Sequence, residues 1–363
     1  MHTGDITRIS QEIHRKLVEV RRDIHMHPEL AYEEFRTTEK LYKYMNNIGI
    51  NAVISKDGTG VTGLIEGCRP GKTIALRGDI DALPIQEENS FEYKSVEAGK
   101  MHACGHDVNL TCVLGAGEVL NRLKSKLKGN VKLIFQPAEE SIGGAQRMIE
   151  SGVLKNPVVD ACAAIHAWPD IPVGKVSLND GYSFAAVDIF KIVVKGKGGH
   201  GAIPNLAKDP IVMGSQIVNS FQTLVSRMTD PLIPVVVSVC SFHSGSGTNI
   251  IPDQAVLEGT VRTYDVNIRQ RLPGWMEGIV KGIVEAYEGG YEFSYRGTYP
   301  ATLNDKEVTE WLKESAARII GRENIIPIGP SMSGEDFSFF AKAVPSTYVK
   351  LGCSNPFDSQ PAV

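Results

Sequence analysis

The sequence predicts an α/β protein built on a mostly parallel sheet, with a second, α+β unit inserted into it. Three observations carry that reading. Near-continuous apolar runs of strand length alternate with helix-periodic stretches, as strands covered on both faces do. Each of those runs ends in acids or a histidine. From about residue 184 the texture changes to an order β-α-β-β-α-β, the split arrangement of ferredoxin-like units. At 363 residues the chain is also too long for one ordinary core, so two domains are expected.

Taken in order, residues 5–47 read as helical, because Ile9, Ile13, Leu17, Val20 and Ile24 recur every three or four positions. Pro28 interrupts this stretch, and a second helix is expected from about Glu33. Strand-like runs follow. Ile74-Ala75-Leu76 precedes Asp79 and Asp81, Val131 to Phe135 precedes Glu139 and Glu140, and "ACAAI" places His166 at a strand end. Between the first two lies a helix with Leu110, Val113, Leu114, Leu120, Leu123 and Leu127 on one face. Asp107 is placed to cap its start and Gly129-Asn130 to end it. The inserted unit, 184–298, holds strands at "AVDIFKIVVKGKGG", "PVVVSVCSF", "QAVLEGTVRTY" and "YEFSYRGTYP", with helices over about 208–228 and 266–288. Helical and strand-like segments resume near 300, so 1–183 and 299–363 form one discontinuous domain.

Bulk properties exclude several partners. A net charge of −4 and a pI of about 6.2 leave no electrostatic footprint for nucleic acid. The longest apolar runs, such as "LIPVVVSVC" (232–240), are strand-sized, so no membrane span is expected. The opening "MHTGDITRISQEIHRKL" is charged and lacks the apolar core of a secretory signal. Six cysteines (68, 104, 112, 162, 240 and 353) lack paired spacing, which suits reduced thiols and a cytoplasmic location.

The chemistry gathers at the expected carboxyl ends of the strands, where open α/β sheets bind ligands. In "MHACGHD" (101–107), Cys104 and His106 stand two apart on a loop before a helix. Thiolate with imidazole suits a borderline-soft divalent metal, yet spacing alone leaves a polar capping loop equally open. Glu139 and Glu140 close an apolar strand, and adjacent glutamates point different ways, so one can ligate while the other meets a water. Asp79 and Asp81 straddle Ile80, and either can hold a ligand histidine or ligate directly. In the insertion, His200 occupies a glycine-rich bend, while Asn249 and Arg262 offer carboxylate recognition.

The ordered set "RRDIHMHPELAYEE", "RGDIDALP", "MHACGHD", "FQPAEE", "AIHAWP", "GKGGHGA", "TNIIP…GTVRT" and "SGEDFSFF" resembles the amidohydrolase subfamily D of metallopeptidase family twenty, over about residues 15–352. That group contains aminoacylases, hippurate hydrolases, N-acetyldiaminopimelate deacetylases and auxin-conjugate hydrolases. The resemblance implies a zinc-peptidase-like catalytic domain, an inserted lid that commonly dimerises, and up to two divalent ions per subunit (Mn, Zn, Co or Ni). It implies Cys104, His106, Glu140 and His166 as metal ligands, Glu139 as general base and Asp81 as the aspartate that orients a ligand. His200 would stabilise the oxyanion, often of the partner's site, and Asn249 and Arg262 would hold the substrate carboxylate, with Glu335 near the site. The implied activity is cleavage of N-acyl (acetyl- or benzoyl-type) amino acids. Alternatives are a dipeptidase, carboxypeptidase or N-acetyldiaminopimelate deacetylase, or a binder without turnover. The last arises because the family places a further ligand histidine after the "LG" that stands here as Leu351-Gly352. This chain has Ser354-Asn355 there, and its last histidine is His243. Either the chain is truncated or frame-shifted, or the second metal is weak or absent.

Overall fold

The computed structural model describes residues 3–141 and 143–354. Two amphipathic helices open the chain, α1 (Thr3–Met26) and α2 (Phe35–Asn47). The second starts two residues later than the sequence suggests, because Tyr32 turns at φ 64 and Glu33 N bonds back to Leu30 O. Next come β1 (Asn51–Ile54), β2 (Val61–Glu66), β3 (Arg69–Asp79), α3 (His106–Arg122), β4 (Lys128–Gln136), α4 (Gly144–Glu150) and β5 (Ala161–Pro172).

Asp107 does not cap α3. The cap is Gly105, in the left-handed conformation at φ 92, and the helix begins at His106 itself. The Asp107 carboxylate turns inward instead, to Arg21 at 2.7 Å and His25 at 2.8 Å. The helix also ends at Arg122, short of Leu127. A single tighter turn, Lys124–Lys126, follows before Gly129 enters β4 at φ 84, where a Cβ would lie 2.0 Å from the Lys72 carbonyl oxygen.

The insertion holds β6 (Ala186–Lys195), α5 (Pro210–Thr223), β7 (Val235–Ser244), β8 (Gln254–Thr263), α6 (Val266–Ala286) and β9 (Gly290–Tyr299). Asp209 caps α5, accepting from Ile211 N at 2.8 Å, and Pro210 supplies a first residue that needs no donor. This helix stops at Thr223, and Leu224–Met228 forms one wider turn rather than a continuation. The four strands form an antiparallel sheet in the order β7-β8-β6-β9. Met213, Ile217 and Phe221 of α5 and Leu272, Met276 and Val280 of α6 make its core with Phe190 and Ile192. Each such fully buried side chain contributes about 1.5–3 kcal/mol.

The chain then returns through α7 (Lys306–Ile320), α8 (Ser338–Ala343) and β10 (Ser346–Ser354). The large sheet has seven strands, β1-β2-β4-β3-β5-β10 and a two-residue edge strand, Val176–Ser177. Its four central strands, β4, β3, β5 and β10, run parallel. Ile24, Leu41, Met45, Leu110, Leu114, Leu133 and Phe135 form the core between this sheet and α1–α3. Two compact units result. One holds the residues up to Ser183, Leu303–Gly329 and those from Asp336 on; the other holds Phe184–Thr302 and Pro330–Glu335. Among the described residues, no helix is long and apolar enough to cross a membrane.

Candidate metal centre

Three parallel strands deliver donors to one place in the first unit. Asp79 ends β3, Glu139 and Glu140 follow β4 by three and four residues, and His166 lies on β5. His166 is not at the strand end that the sequence suggests. It lies inside β5, two residues past Ala164, the last residue to pair with β3. The strand continues because β10 accompanies it, with Lys350 opposite His166.

One donor atom from each of Cys104, His106 and His166 lies within 4.8 Å of the others, and the same holds for His106, Glu139 and Glu140. Cys104 Sγ is 3.5 Å from His166 Nε2, and the two imidazoles meet edge to face at 5.4 Å. Both rings are oriented from behind. His166 Nδ1 lies 2.7 Å from the Ala167 carbonyl, and His106 Nδ1 lies 2.9 Å from the Asp81 carbonyl and 3.2 Å from its Oδ1. Each arrangement assigns the proton to Nδ1 and leaves Nε2 to face the other donors.

These residues fit a divalent cation. His106 Nε2 is buried and has no hydrogen-bond partner, while Glu140 Oε1 lies 3.8 Å away and Asp79 Oδ2 3.9 Å. Burial opposes charge on His106, but Asp79 and Asp81 outweigh it and hold the ring well above its ordinary value. The same concentration of negative charge attracts a metal ion. Burial pushes the Cys104 thiol up to about 11, so a cation must help to ionise it. A mixed set of thiolate, imidazole and carboxylate matches a borderline divalent ion.

Behind the donors lies a buried network that the sequence reading missed. Arg77, wholly buried on β3, donates to Asp79 Oδ2 at 2.5 Å, to Asp336 Oδ1 at 2.9 Å and to Gln136 Oε1 at 2.8 Å. Gln136 and the Ala145 amide also donate to Asp336, whose own amide donates to Glu139 Oε1 at 3.3 Å. Asn109 joins two strands, donating to Asp79 at 2.7 Å and accepting from Ala167 N at 2.8 Å. Despite complete burial, His106 and Arg77 keep Asp79 below the usual carboxylate range. One signal was available for Arg77, a single charge interrupting an apolar run.

The remaining sequence candidates belong to the inserted unit. His200 is exposed, pairs with Ile250 on a two-strand ladder, and accepts from Ala202 N at 3.1 Å through Nδ1. Asn249 adjoins that ladder, its carbonyl accepting from Gly201 N at 2.8 Å. Arg262 lies on β8, with Nε donating to Thr260 Oγ1 at 3.0 Å. A Cβ at Gly334, the residue before buried Glu335, would come 3.2 Å from an Arg262 nitrogen. Of the pair after Leu351-Gly352, Ser354 closes β10 and Asn355 lies outside the described residues.

The profile of peptidase family M20/M25/M40 matches residues 75–362. The chain belongs to that family. It is 40% identical to an N-acetylcysteine deacetylase of Bacillus subtilis over 340 residues, 93% of this chain and 88% of the relative. It is 39% identical to thermostable carboxypeptidase 1 of Saccharolobus solfataricus over 352 residues, 95% and 88% of the two chains. Its fold matches the crystal structure of the YXEP protein of Bacillus subtilis, described as a dinuclear metal binding M20 peptidase. The TM-score is 0.83 at 36% identity, covering 97% of this chain and 92% of that one.

Proposed function

We propose that this M20 chain is a metal-dependent amidohydrolase that cleaves N-acyl amino acids to a carboxylic acid and a free amino acid. Cys104, His106, Glu140 and His166 would hold up to two divalent ions. The observation that carries the reading is the buried, unpartnered His106 Nε2, facing a carboxylate and grouped with a thiol and a second imidazole. When bound, such ions polarise a scissile carbonyl and make water a stronger acid. Glu139 takes a proton from the attacking water and passes it to the leaving nitrogen. Asp81 fixes the ring of His106. In the insertion, His200 donates to the developing oxyanion, and Asn249 and Arg262 hold the substrate carboxylate, with Glu335 beside them.

The near-equal likeness to a deacetylase and a carboxypeptidase supports recognition of the carboxylate-bearing amino acid more than of any one acyl group. In this reading the insertion is a lid through which two copies form a homodimer, and the enzyme works in the cytoplasm. The test is hydrolysis of N-acetyl, N-benzoyl and dipeptide substrates with Mn, Zn, Co or Ni added singly. The expected result is turnover that a chelator abolishes and Glu139→Gln removes while metal is retained. Tight substrate binding without turnover under every metal would overturn the proposal.

A further inference from the structure

Glu139 stands on a turn, Pro137-Ala138-Glu139-Glu140, whose backbone is costly to hold. Ala138 is wholly buried and adopts φ 56, a left-handed conformation in which a Cβ crowds its own carbonyl. The turn is clamped from one side by α4, since a Cβ on Gly144 would lie 2.0 Å from the Pro137 carbonyl oxygen and 2.8 Å from that of Ala138. After the strained residue, Glu140 N donates to Asp81 Oδ2 at 2.9 Å, and Glu139 Oε1 accepts from Asp336 N. Ala138 itself is held by a residue from far upstream: its amide donates to Glu34 Oε1 at 2.8 Å.

Glu34 lies immediately before α2, has no exposed surface, and takes no part in the chemistry proposed above. Its second oxygen, Oε2, is buried with no hydrogen-bond partner. Burial pushes its carboxyl up to about 7. A buried carboxyl with an unsatisfied oxygen costs stability; the backbone of Tyr32 and of Glu34 itself supports it locally, and its bond to the distant Ala138 amide calls for a use. We infer that Glu34 is a positioning residue for catalysis, its bond to the Ala138 amide keeping the turn left-handed and the Glu139 carboxylate aimed at the reacting water. The inference rests on Glu139 being the general base.

The test compares Glu34→Ala, Glu34→Gln and the double variant Glu34→Ala with Ala138→Gly, in the full chain with metal, beside Glu139→Gln as reference. Glu34→Ala should lower kcat about 10- to 100-fold, with KM and metal content unchanged. In the metal-free protein, hydrogen exchange at the Ala138 amide should accelerate. Glu34→Gln keeps an oxygen for that amide and should stay within about threefold of the parent. The double variant should recover most of the lost kcat, because glycine adopts the left-handed conformation without the Cβ penalty. If Glu34→Ala folds poorly, the double variant and Glu34→Gln carry the comparison, and an equal loss of kcat in both overturns the inference. So does Glu34→Ala with unchanged kcat, or with unchanged exchange at Ala138. Turnover retained by Glu139→Gln would instead refute the assignment of the base, a failure separable from this one because the exchange measurement does not depend on it.

Discussion

Replacing Asp81 with asparagine perturbs the candidate metal centre with little change of shape. The carboxylate accepts two hydrogen bonds from opposite sides, Oδ1 from His106 Nδ1 at 3.2 Å and Oδ2 from Glu140 N at 2.9 Å. Both partners are donors, so an amide can satisfy only one and must aim its NH2 at the other. The Asp81 carbonyl, 2.9 Å from His106 Nδ1, stays in place, so the tautomer of His106 survives and the loss is confined to charge and one bond. At a site with 1% exposure there is no solvent to screen the loss. A hydrogen bond to a charged group contributes about 1.5–3 kcal/mol, and each 1.4 kcal/mol is tenfold, so metal affinity should weaken about 10- to 150-fold. Competition against a chromophoric chelator measures this directly for Zn or Mn, without reference to turnover. An affinity within about twofold of the parent would refute the argument that Asp81 holds His106 and the Glu140 amide in ligating geometry.

Other outcomes follow from the same geometry. Asp336→Ala takes a carboxylate from buried Arg77, leaves the Ala145 amide without its acceptor and leaves Gln136 Nε2 the Pro137 carbonyl. Urea unfolding should show a loss of about 3 kcal/mol, and a loss below about 1 kcal/mol would contradict a structural role for the network. The raised carboxyl of Glu34 stays protonated in the folded chain after the unfolded chain has ionised. Its stabilising contribution is therefore complete below 4.5 and lost as pH rises through about 7. Denaturant midpoints across that window should fall for the parent relative to Glu34→Gln, and parallel curves would show that Glu34 ionises normally. Saturating divalent metal should raise the melting temperature, by a stabilisation of about 2.7 kcal/mol at one hundred times Kd. Chelation should reverse the rise and His106→Gln abolish it, and a melting temperature indifferent to Mn, Zn, Co and Ni would remove the metal reading.

What the sequence made legible is what periodicity and residue chemistry encode locally. The apolar run 131–135 and the acids behind it place Glu139 correctly after β4, and the alternation from 186 onward gives the four antiparallel strands of the insertion. What it hid depends on contacts across long separations. Asp107 looks like a cap because aspartates commonly are, yet its partners, Arg21 and His25, come from another helix. The end of β5 cannot be read from "ACAAIHAWPD", because its length is decided by pairing with β10. Arg77, Asp336 and Glu34 stand inside the quoted motifs "RGDIDALP", "SGEDFSFF" and "RRDIHMHPELAYEE", but the sequence gives them no role; only their contacts at β3, before α8 and before α2 do.

The position of β10 within the large sheet has a consequence for biosynthesis. This strand pairs with β5 along eight residues but is translated about 170 residues later. At ribosomal speeds of about 5–20 residues per second, β5 waits roughly 10–35 s with one edge bare. The strand bearing His166 is thus a sticky border on the nascent chain, available to chaperones or to a neighbouring polypeptide. The insertion, whose strands and helices are contiguous, can finish folding meanwhile. Closure of the large sheet by β10 then completes the pairing of the strand that bears His166.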